Sequence, residues 1–160
     1  MAVRALLDTQ VVVRGLLAIR RSACALTFDA LADGAFTAVV SPYILDELRN
    51  VLALPKLRAR YGLTDDNVAE LLDAYGRQAE MVSGFLDLPE GWRSAGGNSA
   101  VPGEDIPIVA AALEGGADYL VSDDSELLGV KMVLVSGYRP VQVIAPGPFI
   151  KQVLHISSTR

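Results

Sequence analysis

Two apolar runs in this sequence end abruptly on acid. Ala5-Leu6-Leu7 runs into Asp8-Thr9, and Tyr119-Leu120-Val121-Ser122 runs into Asp123-Asp124. Short apolar runs bounded by polar residues read as buried strands of a parallel sheet. Ligands of such sheets bind beyond the carboxyl ends of the strands, which lie on one edge. Acids delivered there by separate strands are brought together. Asp8 taken alone is equally a helix cap, with Thr9 beside it to hold the carboxylate or cap the helix that follows. The recurrence of the pattern favours a common site.

Two more acids bear on that edge. On the helix that follows Ser41, residues Ile44, Leu48, Val51 and Leu52 form an inward stripe, and Glu47 borders it, whereas Asp46 points roughly the opposite way. A glutamate at the edge of an inward face costs desolvation unless something pairs with it, although its stem can pack while the head reaches water. Asp105 lies on the same edge if the helix containing Pro107 begins there; otherwise it is an N-cap for that helix. A cluster of acids with no lysine close in sequence is better explained by a hard cation, and Mg2+ or Mn2+ suits oxygen ligands.

Other chemistry is weakly supported. His155 is the sole histidine and Cys24 the sole cysteine, so a zinc site of the usual ligand types has no basis and no internal disulfide can form. Cys24 sits among apolar residues and reads as a small core side chain. There is no GxGxxG, no GxxxxGK[ST] and no GxSxG, which removes the usual dinucleotide, P-loop and hydrolase-elbow signatures. Lys56, Arg58 and Arg60 form a short basic run that either contacts a phosphate backbone or is simply solvated.

The elements that must carry these residues alternate. Strands are expected at Val3–Leu7, Thr37–Val40, Tyr119–Ser122 and Val141–Ile144, with a short extended segment at Met81–Leu86. Helices are expected at Val11–Leu17, Ser22–Leu31, from Ser41-Pro42 to about Leu54 where Pro55 ends it, from Thr64 through Tyr75, at Ile108–Glu114, and from Pro146 toward Leu154. A helical turn follows Asp124, Pro89–Gly103 reads as a mobile loop, and Ser157–Arg160 as a frayed end. Strand–helix alternation over 160 residues gives one α/β domain, a parallel sheet flanked by helices, spanning 1–160.

The formal charge is −5 and the pI about 4.8, which argues against binding nucleic acid through a broad basic surface. It permits acids concentrated at a metal, whose charge offsets part of the repulsion a phosphate meets there. No apolar run approaches the ~18 residues of a membrane span. Met1 leads directly toward a strand without a basic n-region, so the expectation is a soluble cytoplasmic protein.

Four stretches, in order, resemble a PIN domain: Leu7-Asp8-Thr9-Gln10-Val11, Ser41-Pro42-Tyr43-Ile44-Leu45-Asp46-Glu47-Leu48, Asp105 through Ala112, and Gly115-Gly116-Ala117-Asp118-Tyr119-Leu120-Val121-Ser122-Asp123-Asp124. The likeness runs from about residue 3 to 150, with residues 151–160 a helix end and tail, and is nearest to toxin components of bacterial toxin–antitoxin pairs. It implies an α/β/α sandwich and a Mg2+- or Mn2+-dependent endoribonuclease holding one or two ions on Asp8, Glu47, Asp105 and Asp124. It also implies Thr9, Gln10, Ser122 and Asp123 as supporting residues, an antitoxin partner and a homodimer. An inactive PIN scaffold that binds RNA or a protein is the alternative. A phosphoacceptor signalling domain fits poorly, because its acid pair follows the first strand and here the pair comes late. Two departures stand out: Gln10 replaces the usual asparagine after Asp-Thr, and the glycine-rich Ser94–Glu104 loop leaves Glu104 and Asp105 as rival ligands.

Overall fold

The computed structural model describes residues 2–18, 20–92 and 100–157. Its sheet has the order β3-β2-β1-β4-β6-β5. The strands are β1 (Arg4–Leu7), β2 (Thr37–Val40), β3 (Ala79–Met81), β4 (Tyr119–Val121), β5 (Met132–Val133) and β6 (Val141–Ile144). All neighbours pair in parallel except β5 with β6. The expected parallel sheet is therefore mostly parallel, with one short antiparallel edge strand that the sequence did not announce.

β1 is central because it can be buried on both sides. Ala5, Leu6 and Leu7 are fully buried, and Leu6 is flanked by Val39 and Leu120. This is the continuous apolar character a strand needs when helices cover both faces of a sheet. Arg4 closes the amino edge: its guanidinium donates to the Gly115 carbonyl at 3.0 and 2.6 Å and pairs with Glu80 at 2.8 Å.

The helices are α1 (Thr9–Leu16), α2 (Ala23–Ala32), α3 (Pro42–Leu52), α4 (Pro55–Tyr61), α5 (Asp65–Gln78), α6 (Ile106–Glu114), α7 (Ser125–Val130) and the short α8 (Pro146–Pro148). Ser41 caps α3 through the Ile44 amide, with Pro42 at its first position, and Thr64 and Asn67 form a reciprocal capping box on α5.

Several expectations need correction. Pro55 does more than end α3, for it also opens α4, since a proline is as well suited to the first turn of a helix as to breaking one. The third strand is Ala79–Met81 rather than Met81–Leu86, held by β2 and by the Arg4–Glu80 pair. α1 begins at Thr9, α6 begins at Ile106, and the last helix is a single α turn continued by a π-type turn, Phe149–Val153. The central part of the expected 89–103 loop, residues 93–99, lies outside the described residues, as do residues 158–160 of the expected frayed end.

One close approach fixes α6 against the sheet. A Cβ placed on Gly115 would run into the Val39 side chain on β2. Gly115→Ala should thus cost about 1–3 kcal/mol by overpacking. Gly76, inside α5 with nothing within 4 Å of its would-be Cβ, should be neutral or gain up to about 1 kcal/mol as Ala. Urea unfolding of the two variants checks the pair, and equal effects would contradict the packing argument.

Candidate active site

The carboxyl ends of β1 and β4 are stitched together by one serine. The Asp8 amide donates to the Val121 carbonyl at 2.9 Å, continuing the ladder one residue past the strands. Ser122, fully buried, donates its hydroxyl to Asp8 Oδ2 at 2.7 Å and accepts from the Asp124 amide at 3.0 Å. Asp8 Oδ1 takes the Thr9 amide at 2.8 Å, so Asp8 caps α1 while remaining at the strand end. Asp124 caps α7, its Oδ1 accepting from the Glu126 and Leu127 amides. For both acids, capping and membership of the edge prove compatible.

Glu47 comes from the opposite side. It is half-buried, and its Oε2 accepts from the Thr9 hydroxyl at 2.7 Å while Oε1 accepts from the Tyr43 hydroxyl at 3.3 Å. Asp46, one residue earlier, is exposed and pairs with Arg49 at 3.1 Å. Tyr43 was not singled out from the sequence. The signal that could have found it is its spacing of four from Glu47, which places both on one helix face.

Asp105 ends the 3-10 turn Gly103–Asp105 that leads into α6, and it is 7% exposed while Glu104 is exposed. The rival positions therefore differ in environment. Asp105 occupies the N-cap position of α6 but makes no capping bond with its side chain. Its Oδ2 is buried with no hydrogen-bond partner among the described residues. Burial first, then the charges of Asp8, Asp124, Glu104 and Glu47, push its carboxyl up to about 6. Asp8 is likewise raised by burial and by Asp124 and Glu47, against the opposing hydrogen bonds from Ser122 and Thr9.

Among the described residues, no three Asp, Glu, His or Cys side chains already form a closed ligand array. The donor set nonetheless suits a hard divalent ion. Every candidate ligand is a carboxylate oxygen. The orphaned Asp105 oxygen is an acceptor whose desolvation, typically ~1–3 kcal/mol, no donor among the described residues offsets.

A cavity of about 1290 Å³ lies beside the cluster, its lining including Gln10 and Asp123, the chain neighbours of Thr9 and Asp124. Val13, Leu17, Val51 and Leu54 give it apolar walls, and Arg14, Arg20, Lys56 and Arg60 give it cations. Gln10 is exposed on this side and makes no hydrogen bond to the four carboxylates among the described residues. Asp123 also belongs here, paired with Arg14 at 2.8 Å. Of the basic run, Lys56 and Arg60 line the cavity while Arg58 is engaged by Asp65 at 2.6 Å.

A family model for the PIN domain matches residues 4–126. The chain belongs to the PIN-domain family. Solved structures similar to this PIN domain include VapBC2 from Rickettsia felis bound to a promoter DNA fragment, with a TM-score of 0.51 at 17% identity, covering 76% of this chain and 87% of that one. PAE2754 from Pyrobaculum aerophilum gives 0.58 at 19%, covering 98% and 92%, and FitAB bound to an IR36 DNA fragment gives 0.53 at 16%, covering 98% and 99%. At these identities the likeness is one of fold. No curated protein matches the chain in sequence.

Asp105 makes the PIN domain's stability depend on pH. Its folded carboxyl titrates at about 6 against an ordinary 3.8, so between those values the folded chain holds a proton the unfolded chain has lost. Its contribution to stability therefore falls as pH rises through this window and stays low above it. Without divalent ions, Asp105→Asn should raise Tm by several degrees near neutral pH, and the gain should vanish toward about pH 4. A thermal melt series settles it; no gain at neutral pH would mean the carboxylate is not strained by burial.

Proposed function

We propose that this PIN domain is a Mg2+- or Mn2+-dependent endoribonuclease that hydrolyses RNA phosphodiester bonds, acting in the cytoplasm as the toxin of a toxin–antitoxin pair. The observation that carries the reading is the buried Asp105 carboxyl, its Oδ2 without a hydrogen-bond partner among the described residues, charge-coupled to Asp8, Asp124 and Glu47. Asp8, Glu47, Asp105 and Asp124 would hold one or two ions. When bound, such an ion supplies an activated water and offsets charge on the scissile phosphate. The residues' own work is positional. The Ser122 hydroxyl keeps Asp8 turned toward β4, the Thr9 hydroxyl holds Glu47 to α1, and Asp124 is fixed by the α7 amides.

The cavity supports a protein partner as well. VapBC2 and FitAB are solved as complexes on DNA, and a cognate antitoxin is the partner we propose here. A cavity with apolar walls, lined by Arg20, Lys56 and Arg60 beside the Arg14–Asp123 pair, on a chain of net charge −5, matches an acidic amphipathic segment. Lys56 and Arg60 are also where we place RNA phosphate contacts, so a seated antitoxin would block substrate and site together. A homodimer is proposed for the free protein. No helix among the described residues is long and apolar enough to cross a membrane.

RNA cleavage should require Mg2+ or Mn2+ and stop on chelation. Asp8→Asn and Asp124→Asn should each lower it by at least about 100-fold, beyond the 10–100-fold typical of outer-shell partners; asparagine retains capping ability, so folding should persist. Glu47→Gln should cost activity while Asp46→Asn leaves it nearly intact. Full activity of Asp8→Asn in chelator would sink the metal reading, and RNA binding without cleavage would favour the inactive scaffold.

For the partner, Leu54→Glu should weaken inhibition by the product of the adjacent reading frame by roughly tenfold or more, as loss of a central apolar anchor does. Inhibition titrations read this directly. Unchanged inhibition would place the antitoxin elsewhere.

A further inference from the structure

Tyr43 combines an engaged hydroxyl with an exposed side chain. Its hydroxyl donates to Glu47 Oε1 at 3.3 Å, and the Thr9 hydroxyl takes the other oxygen, so the Glu47 carboxylate is held from both sides. The residue as a whole is 41% exposed, one of the few large apolar side chains left in water. A tyrosine serving only the core looks different: Tyr75 in the same fold is 1% exposed and its hydroxyl has no partner among the described residues.

The placement is enforced by the backbone. Ser41 accepts from the Ile44 amide and Pro42 fixes the first turn of α3, so Tyr43 stands one turn before Glu47. Its hydroxyl lies 3.3 Å from Glu47 Oε1, which puts it against one of the acids of the cluster. An exposed aromatic face of this kind stacks bases of unpaired strands, because every base has a π-face whatever its identity. A base held inside a duplex offers no such face.

We propose that Tyr43 seats the substrate at this site, its ring stacking a base that flanks the scissile phosphate while its hydroxyl positions Glu47. The proposal rests on the ribonuclease reading above. The two ends of one side chain thus couple the seating of a nucleotide to the geometry of a carboxylate.

The experiment separates the ends. In an Asp8→Asn background that binds without cutting, a short unpaired RNA carrying 2-aminopurine reports stacking by quenching of its fluorescence. Quenching should persist with Tyr43→Phe and Tyr43→Trp and be lost with Tyr43→Leu, whose affinity should fall about tenfold, within the range for one stacked base. The same strand in a duplex should bind more weakly and show no quenching dependent on residue 43. In the cleaving protein, Tyr43→Leu should raise KM about tenfold, whereas Tyr43→Phe should keep KM and raise the Mg2+ concentration needed for half-maximal rate. Undiminished quenching and KM with Tyr43→Leu would overturn the proposal and leave the exposed ring to a protein contact, while cleavage itself would stand. Absence of cleavage by the unmodified protein, with quenching lost in Tyr43→Leu, would overturn the ribonuclease reading and retain the stacking site.

Discussion

The Asp8–Ser122 hydrogen bond is the interaction on which the arrangement of the edge depends. It ties the ends of β1 and β4, which only the parallel register of Leu7 with Val121 brings side by side. Ser122 is both donor to one acid and acceptor for the amide of another, so a single buried hydroxyl sets the positions of Asp8 and Asp124. Like charges brought together repel, and at buried Asp8 and Asp105 the repulsion is less screened than at exposed Asp124. Neutral donors are the way a protein holds such groups without cancelling their charge. Thr9 plays the same part for Glu47, bridging α1 to α3.

The four acids are not held equally, and the inequality is informative. Asp8, Asp124 and Glu47 each have donors on at least one oxygen; buried Asp105 has an oxygen with no donor among the described residues. Residues selected only for stability rarely leave a buried acceptor without a donor. Local choices that oppose stability concentrate where a site must do something other than fold. On the metal reading proposed above, Asp105 is the position at which folding and function would pull in opposite directions.

Much of this was legible in the sequence because the relevant signals are local. The Ala5–Leu7 run and its ending on Asp8 define a buried strand and its carboxyl end, and the spacing of Ile44, Leu48 and Leu52 fixes the phase that sets Glu47 inward and Asp46 outward. Other features depend on contacts that no local pattern carries. β5 has two residues and exists by pairing with β6. β3 contains Glu80, whose charge argues against a strand until Arg4 is found beside it. α4 starts on a proline that reads as a stop, with Leu54 before it offering no side-chain cap. The cavity is built from α1, the start of α2, the end of α3 and α4, so Arg14 and Arg20 join Lys56 and Arg60 only after folding. Gln10 is the reverse case, next to the site in sequence yet turned toward that cavity.

Net charge is a poor guide to such a molecule, because the field a ligand meets is local. The chain carries −5 overall, yet cations surround the cavity at the same sheet edge that gathers the acids. The Arg14–Asp123 pair stands where the two regions meet, with Asp123 adjacent in sequence to the capping Asp124 and Arg14 one turn along α1 from Gln10. On the reading proposed above, an anionic strand would be drawn to the cationic side and turned toward the acids only at this boundary. An acidic partner seated in the cavity would use the same attraction. Access and inhibition would then be governed by a common surface, and on that reading a strongly acidic domain would attract polyanions without a broad basic face.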